Sequence, residues 1–340
     1  MIVIMNSNAK EKQIERVIEH IEREGLKVHL SDEKEATIIR LIGDTSNIEG
    51  DTFKSFVGVD KVVPITNSYK LTSREFHPQD TIVDVNGIKI GDGSIVIMAG
   101  PCAIESLDQI RQSARIAKEG GARILRGGAF KPRTSPYSFQ GLGEEGLKYI
   151  RQAADEYGMQ VITEVMDEEH IPMVAEYSDI LQIGARNMQN FKLLEAVGKT
   201  KKPIGLKRGI AATINEWLNA AEYIANEGNF NLIFIERGIR TYETATRNTL
   251  DLSAVPLIKK LSHFPIIVDP SHGVGVWDLV PSMARAGIAA GADGLLVEIH
   301  PDPENSWSDG GQSLRGDTYL GMMKEINIIK KAMDQIRMLG

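Results

Sequence analysis

Positively charged side chains recur where short apolar runs of this sequence end. Guanidinium groups bind carboxylate and phosphate oxygens through paired hydrogen bonds, and six cations exceed what one monoanion needs. The pattern therefore predicts a site for two anionic substrates, at least one of them phosphorylated. The six residues are Arg126, Lys131, Arg133, Arg186, Lys207 and Arg237. Any one of them alone is more often solvated or salt-bridged, so the prediction depends on their meeting at one place.

Two of these cations lie in the stretch GGAFKPRTSPYSFQG, residues 127–141. Pro132 and Pro136 restrict the backbone there, and the hydroxyls of Thr134 and Ser135 can donate hydrogen bonds to phosphate. Such a loop holds its shape before a phosphorylated substrate arrives, which lowers the entropic cost of binding.

A second set of residues offers the ligands of a metal ion. Cys102, His272, Glu298 and Asp309 supply a thiolate, an imidazole and two carboxylates, a set that suits Mn, Fe, Co or Zn better than Mg. Spacing adds little support, since the sequence has no C-x-x-C or H-x-x-x-H cluster. A lone cysteine is more often a small buried apolar residue, and a lone histidine is more often structural. We expect one divalent metal ion and no organic cofactor, provided that the fold brings the four together.

Eight apolar runs, separated by amphipathic stretches of helix length, indicate the fold of residues 81–340. Buried strands of a parallel sheet are almost continuously apolar, and eight βα units in about 245 residues match a closed (β/α)8 TIM barrel. A doubly wound open sheet is the alternative, but no G-x-G-x-x-G follows the first run. The runs are residues 94–100, 122–129, 160–165, 180–185, 203–209, 232–238, 265–272 and 294–300.

In such a barrel the functional side chains lie where strands run into the following loops. Polar or charged residues close every run, and burying an unpaired charge costs several kcal/mol. We therefore expect these residues to face one shared site. Besides the residues already named, they include Glu164, Arg208, Glu236, Asp269 and His300.

The first 66 residues follow a different pattern. Strand-like segments MIVIM, LKVHL, ATIIRLIG and VDKVVPIT, with a helix over residues 9–25 and a shorter one later, predict a ferredoxin-like βαββαβ domain. Residues 67–80 have no period and are predicted to be a linker. Asn86-Gly87 then predicts a tight hairpin turn before the barrel begins.

The composition argues against several classes of protein. In 340 residues no apolar run approaches the roughly 18 residues of a membrane span, so we expect a soluble protein with no membrane partner. A net charge of −7 argues against general binding to nucleic acid, which selects for a broad basic face. One cysteine excludes an internal disulfide, and the first residues lack a secretory signal pattern, so we expect a cytoplasmic location.

The longer motifs resemble those of the microbial class I 3-deoxy-D-arabino-heptulosonate 7-phosphate (DAHP) synthases that carry an N-terminal regulatory domain. The matching segments are GGAFKPRTSPYSFQGLG, AGPCAIES, QIGARNMQN, LKRG, ERGIRTYETATRNTLDLSAVP, VDPSHGVG and VEIHPDPENSWSDGGQS. The resemblance implies condensation of phosphoenolpyruvate with erythrose 4-phosphate and water to DAHP and inorganic phosphate, which opens the shikimate pathway to the aromatic amino acids. The KPRTS segment distinguishes this group from the 3-deoxy-octulosonate 8-phosphate synthases, which accept a longer sugar.

The same resemblance implies a role for each matching position. It assigns the metal ligands as Cys102, His272, Glu298 and Asp309. It places phosphoenolpyruvate among Arg126, Lys131, Arg186, Lys207 and Arg237. It places erythrose 4-phosphate near Arg133, Thr134, Ser135 and Asp269. Lys131, His272 and Cys102 are the expected catalytic residues.

Other functions stay open on the sequence. An octulosonate synthase would share most motifs, a class I aldolase would form a Schiff base through Lys207, and a non-catalytic sugar-phosphate sensor would keep the barrel. For the N-terminal domain the resemblance implies an effector site for tyrosine or phenylalanine, and the alternative is an oligomerisation or capping domain. Its strand-like segments argue against an all-helical chorismate mutase domain. We expect a homotetramer.

Overall fold

The chain folds into two compact units, Met1–Pro78 and Gln79–Gly340, in a computed structural model. The structure describes residues 1–33, 36–43, 45, 48, 50–63, 68–131, 135 and 137–338. The first unit contains a small antiparallel sheet, and the second contains a closed parallel barrel.

The first unit has the ferredoxin-like βαββαβ order that the sequence predicts. Its elements are β1 (Ile2–Met5), α1 (Glu11–Arg23), β2 (Lys27–Glu33), β3 (Ala36–Ile42), α2 (Gly50–Lys54) and β4 (Val59–Val63). The strands lie in the order β2-β3-β1-β4, and each neighbouring pair is antiparallel. Val17 and Ile21 of α1 are fully buried in one core with Val3 and Ile39 of the sheet and Phe53 of α2. The apolar stripe of α1 therefore covers one face of the sheet.

Residues 68–78, most of the predicted linker, form turns rather than a helix or an extended strand. They nevertheless bury large side chains, including Tyr69 and Phe76. The centroids of the Phe76 and His29 rings lie 4.8 Å apart, and the Arg40 guanidinium lies 4.9 Å from the centroid of the Phe76 ring. These residues belong to the first unit, and the domain boundaries at residues 66 and 80 stay a prediction.

A hairpin opens the second unit, formed by β5 (Val83–Val85) and β6 (Ile88–Ile90). Its turn residues Asn86 and Gly87 have φ of 50° and 86°, the left-handed pair that the predicted Asn-Gly turn requires. The apolar side chains of the hairpin pack in one core with inward-facing residues near the amino ends of the barrel strands, such as Val96. This end of the barrel is thereby covered, and the carboxyl ends are left for chemistry.

Eight parallel strands close the predicted barrel. They are β7 (Val96–Gly100), β8 (Ile124–Arg126), β9 (Gln160–Val165), β10 (Ile180–Ile183), β11 (Ile204–Lys207), β12 (Leu232–Glu236), β13 (Ile266–Val268) and β14 (Gly294–Glu298). Each lies inside one of the eight predicted apolar runs. The first and last strands pair from Val96 with Gly294 to Gly100 with Glu298, which closes the ring and makes residues of the first and last loops neighbours.

Helices surround the barrel and connect its strands. They are α3 (Leu107–Glu119), α4 (Glu144–Glu156), α5 (Ile171–Tyr177), α6 (Phe191–Lys199), α7 (Ile214–Asn226), α8 (Ala254–Leu261), α9 (Pro270–Val274), α10 (Val280–Ala289) and α11 (Gly316–Arg337). Caps fix where two of them begin: Ser106 Oγ accepts from the Gln109 N–H at the start of α3, and Thr213 forms a capping box with Glu216 at α7. Within the described residues, no helix combines the length and apolarity of a membrane span.

Candidate active site

A cavity of about 540 Å³ opens at the carboxyl ends of the barrel strands. Its described lining includes six cations, Lys131, Arg186, Lys207, Arg237, Arg240 and Arg247. The acids in that lining are Glu164 and Asp309. Because cations outnumber acids three to one, the cavity is suited to anionic ligands.

The donor atoms of Cys102, Glu298 and Asp309 all lie within 4.8 Å of one another, and we call these three residues the metal group because they could hold a metal ion. Cys102 follows β7, Glu298 ends β14, and Asp309 lies in the next loop, so pairing of β7 with β14 brings the three together. Cys102 Sγ lies 3.2 Å from Asp309 Oδ2 and 3.1 Å from Ser308 Oγ. Asp309 has φ 53°, in the left-handed region that aspartate adopts more readily than most other non-glycine residues.

His272, the fourth predicted metal ligand, lies beside this group but outside the set of mutually close donors. Its Nε2 is 3.4 Å from Glu298 Oε1, and its Nδ1 is 2.8 Å from Asp269 Oδ2 without the alignment of a hydrogen bond. A carboxylate behind the second ring nitrogen is how metal-binding histidines are commonly oriented. Sulfur, imidazole and two carboxylates together fit a divalent ion of the Mn to Zn series, whereas Mg is held by oxygen ligands alone.

Burial and charge set the protonation of this group. Burial, with Glu298 and Asp309 nearby, raises the pKa of the Cys102 thiol to about 11, although Lys131 acts against the shift. Burial alone would raise the pKa of Asp309, but Arg247 and the Cys102 thiol outweigh it and lower this pKa to about 2. Burial likewise opposes ionisation of Glu298, and His272 with Arg126 keeps its pKa below the ordinary value. At neutral pH the group therefore holds two carboxylates and a protonated thiol.

Most described cations predicted to bind phosphoenolpyruvate line the cavity: Lys131, Arg186, Lys207 and Arg237. Lys131 Nζ donates to Cys102 O and Cys102 Sγ, each at 2.9 Å, so it lies between the cavity and the metal group. Burial lowers the pKa of Lys207, while Asp269 opposes that shift.

Arg126 is placed differently from the other predicted cations. It is not among the residues that line the cavity, and its Nη1 donates to Pro101 O and Glu298 Oε1, each at 2.7 Å. Its Nε has no hydrogen-bond partner. In this structure Arg126 compensates the charge of a predicted metal ligand.

The residues predicted to contact erythrose 4-phosphate are only partly described. Ser135 lines the cavity, whereas Arg133 and Thr134, with Pro132 and Pro136 beside them, lie outside the described residues. Asp269 is fully buried and lies 2.8 Å from Lys207 Nζ.

We expected the charged residues that close every strand to face one shared site. This expectation is wrong for Arg208, Glu236 and His300. Arg208 Nη1 donates to Glu236 at 3.0 Å and Asp251 at 2.8 Å, away from the cavity. His300 lies beside Glu105, also outside the cavity lining. Successive side chains of a strand point to opposite faces, so Lys207 faces inward and Arg208 outward. Pairing of Arg208 with Glu236 and Asp251 offsets the cost of burying these charges.

Sequence reasoning gave no role to Arg247 and Gln312, which connect the cavity to the metal group. Arg247 Nη1 donates to Gln312 Oε1 at 2.6 Å and lies 3.5 Å from Asp309 Oδ1. Gln312 Nε2 in turn donates to Glu298 Oε2 at 2.6 Å. The available signal was the further pair of arginines, Arg240 and Arg247, in the loop directly after β12.

Known proteins match both units of the chain. The family described as DAHP synthetase I family matches residues 70–335, and the DAHP synthase ferredoxin-like domain matches residues 1–67. The chain is 52% identical over 333 residues to the phospho-2-dehydro-3-deoxyheptonate aldolase of Thermotoga maritima, with 98% of each chain covered. It is 32% identical to the 2-dehydro-3-deoxyphosphooctonate aldolase of Desulfosudis oleivorans, over 74% of this chain and 96% of that protein.

Solved structures agree with the sequence matches. The crystal structure of phospho-2-dehydro-3-deoxyheptonate aldolase (DAHP synthase) from Thermotoga maritima superposes with a TM-score of 0.78 at 52% identity, covering 98% of this chain and 97% of that one. A truncated form of 3-deoxy-D-arabino-heptulosonate 7-phosphate synthase from Thermotoga maritima gives a TM-score of 0.73, covering 77% of this chain and 97% of that one. By its motifs, its barrel and these matches, the chain belongs to the DAHP synthetase I family.

Proposed function

We propose that the cavity is the active site in which this chain condenses phosphoenolpyruvate with erythrose 4-phosphate and water, giving DAHP and inorganic phosphate. This condensation is the activity of the family to which the chain belongs. The observation that carries the assignment of the site is the position of a six-cation cavity directly beside the group of Cys102, Glu298 and Asp309. Where the cavity meets this group, the phosphorylated substrates would lie next to a metal ion that can bind the aldehyde oxygen.

The cations of the cavity bind phosphoenolpyruvate in this proposal. Its phosphate and carboxylate together need several donors, which Lys131, Arg186, Lys207 and Arg237 supply from four different strand ends. Arg126 is the fifth cation of the proposed set; it lies behind the cavity lining, paired with Glu298, and keeps an unpaired Nε. Arg133, Thr134 and Ser135 of the loop after β8 bind the phosphate of erythrose 4-phosphate.

Cys102, His272, Glu298 and Asp309 are the residues that would hold one divalent ion, of the Mn, Fe, Co or Zn class. When bound, the ion supplies Lewis-acid polarisation of the aldehyde oxygen of erythrose 4-phosphate. Asp269 is a positioning residue here, because its buried carboxylate contacts both Lys207 and His272.

The protein side chains then act on the charges that develop. C3 of the enol phosphate attacks the aldehyde carbon, and Lys131, whose Nζ lies at the edge of the metal group, protonates the new oxygen. C2 becomes electron-poor and is attacked by water, which gives a tetrahedral phosphohemiketal. The bond between C2 and the phosphate oxygen then breaks, so that the C2 hydroxyl loses its proton and becomes the ketone of DAHP, and the surrounding arginines and lysines stabilise the departing phosphate.

The decisive experiment measures phosphate release and loss of phosphoenolpyruvate with both substrates present. A chelator should abolish turnover, and Mn, Fe, Co or Zn should restore it. Full activity in the chelated protein would contradict the metal site. Phosphate release with a longer sugar phosphate in preference to erythrose 4-phosphate would favour the octulosonate reaction. Inactivation by borohydride in the presence of substrate would instead indicate a Schiff base at Lys207.

The N-terminal unit is the proposed effector domain. Its support is the match of residues 1–67 to the DAHP synthase ferredoxin-like domain. Tyrosine or phenylalanine should inhibit the full-length enzyme, and deletion of residues 1–66 should remove the inhibition while keeping turnover. Equal inhibition of both forms would leave the domain with an oligomerisation or capping role. We also propose that the protein is a homotetramer in the cytoplasm. Light scattering on the purified full chain tests the number of subunits.

A further inference from the structure

One buried carboxylate gathers three groups of the loop that follows β14. Glu105 Oε1 accepts hydrogen bonds from the Trp307 N–H at 2.8 Å and from Ser306 Oγ at 3.2 Å. His300 Nε2 lies 3.3 Å from the same oxygen, and the Glu105 side chain is only 9% exposed. Glu105 itself belongs to the loop after β7, so a single oxygen joins the loops of the first and the last barrel strand.

The backbone that carries Glu105 is itself fixed. Gln109, in the first turn of α3, donates from Nε2 to Ala103 O at 3.2 Å and accepts from the Glu105 N–H at 3.4 Å. Ser106 caps the same helix through its hydroxyl. The carboxylate of Glu105 is thus presented from a rigid base rather than from a mobile loop.

The contacts continue from Glu105 to the metal group. Ser306 Oγ also lies 2.8 Å from Ser308 O, so its single proton is within reach of both this oxygen and Glu105 Oε1. Ser308 Oγ then lies 3.1 Å from Cys102 Sγ, and Asp309 Oδ2 lies 3.2 Å from the same sulfur. Each step ties the Asp309 carboxylate more firmly to its place beside Cys102.

We propose that Glu105 is a positioning residue that holds the loop of Ser306 to Asp309 in the geometry required for metal binding. The inference rests on the proposed metal site and adds a residue that donates no ligand and does not line the cavity. Without the carboxylate the loop loosens, Asp309 spends less time beside Cys102, and metal affinity falls. Groups that support metal ligands in this way typically contribute 10- to 100-fold to affinity.

The test titrates Co²⁺ into the metal-free full-length protein and follows the thiolate-to-cobalt absorbance. E105Q should bind cobalt about tenfold more weakly than the wild type. The matched control is E304Q, because Glu304 lies in the same loop, is 79% exposed and forms a surface ion pair with Arg315; its affinity should equal that of the wild type. If E105Q binds cobalt as tightly as the wild type does, the role proposed for Glu105 is overturned and the proposed metal site is not. A wild-type protein without the thiolate band overturns the metal site and the inference with it.

Two further variants test the route of the effect. S306A keeps the carboxylate and removes one of its donors, so a loss of about threefold is expected even if E105Q does not fold; wild-type affinity in S306A would then overturn the proposal. In a D309A background, E105Q should change cobalt affinity by less than about twofold, because the residue acts through Asp309. Losses that multiply in the double variant would show that Glu105 acts elsewhere.

Discussion

Lys207 Nζ and Asp269 Oδ2 lie 2.8 Å apart in a buried ion pair at the edge of the cavity. Asp269 also caps α9 by accepting from the His272 N–H at 3.0 Å, and its other oxygen contacts the His272 ring. One buried anion therefore positions a proposed substrate cation and a proposed metal ligand together. Removing its charge should affect both partners while the helix cap survives.

Asp269→Asn tests the charge of this pair. Burial lowers the pKa of Lys207 and Asp269 opposes the shift, so the neutral amide should lower that pKa further. Since Lys207 binds an anion only while protonated, the alkaline limb of kcat/KM for phosphoenolpyruvate should move to lower pH, with a loss of about tenfold or more at pH 8. D251N is the control, because Asp251 pairs with Arg208 outside the cavity. An unmoved limb in D269N would contradict this role.

Cys102 should release a proton when metal binds. Its pKa of about 11 means that the thiol is protonated at pH 7.5, whereas a metal binds the thiolate. We expect release of about one proton per ion and an affinity that rises up to about tenfold per pH unit between pH 6 and 8. Calorimetry in two buffers of different ionisation enthalpy measures the proton count. C102A should lose this proton; the same release in C102A would assign it to another group.

Arg126→Met should destabilise the metal-free barrel strongly. It leaves Glu298 buried without the guanidinium that lies 2.7 Å away, and removing one partner of a buried ion pair typically costs about 3 to 5 kcal/mol of unfolding free energy. Because a bound cation replaces that charge, metal should stabilise R126M more than the wild type in urea unfolding. R111M, which breaks an exposed pair with Glu156, is the control and should have little effect. Equal metal stabilisation of R126M and wild type would argue against an ion at Glu298.

Gly100→Ala should be costly, because a Cβ there would lie 1.9 Å from the backbone oxygen of Arg126. No side-chain rotation relieves such a clash, so the strand end next to Cys102 must shift, at about 1 to 3 kcal/mol or more. G321A adds the same methyl group on the exposed face of α11, where nothing lies within 4 Å, and should stabilise the protein by about 0.5 to 1 kcal/mol. Comparable stabilities of the two variants would contradict the close approach of β7 and β8.

The barrel could be predicted because strands buried on both faces are continuously apolar, as in the runs that contain β12 and β14. Closure of that barrel also made Cys102 and Glu298 neighbours despite their distance in the chain. The orientation of adjacent strand-end residues could not be predicted in the same way. Lys207 and Arg208 are both cations, and only the structure shows that the first lines the cavity while the second pairs with Glu236.

Residues in irregular loops were beyond sequence reasoning for a different reason. Gln312 and Glu105 lie in segments without a periodic hydrophobic pattern. Their roles come from individual hydrogen bonds to residues more than ten positions away in the sequence, such as Gln312 with Glu298 and Glu105 with Trp307. Arg133 and Thr134 lie outside the described residues, so their assignment stays a prediction.

The hydrogen bonds from Arg247 to Gln312 and from Gln312 to Glu298 have a consequence for engineering. A redesign that replaces Arg247 in the cavity lining also frees the Gln312 amide that donates to Glu298, a proposed metal ligand. A change in the cavity lining at this position should therefore also alter metal affinity, and libraries that select for a new sugar should vary the supplied metal in the same screen.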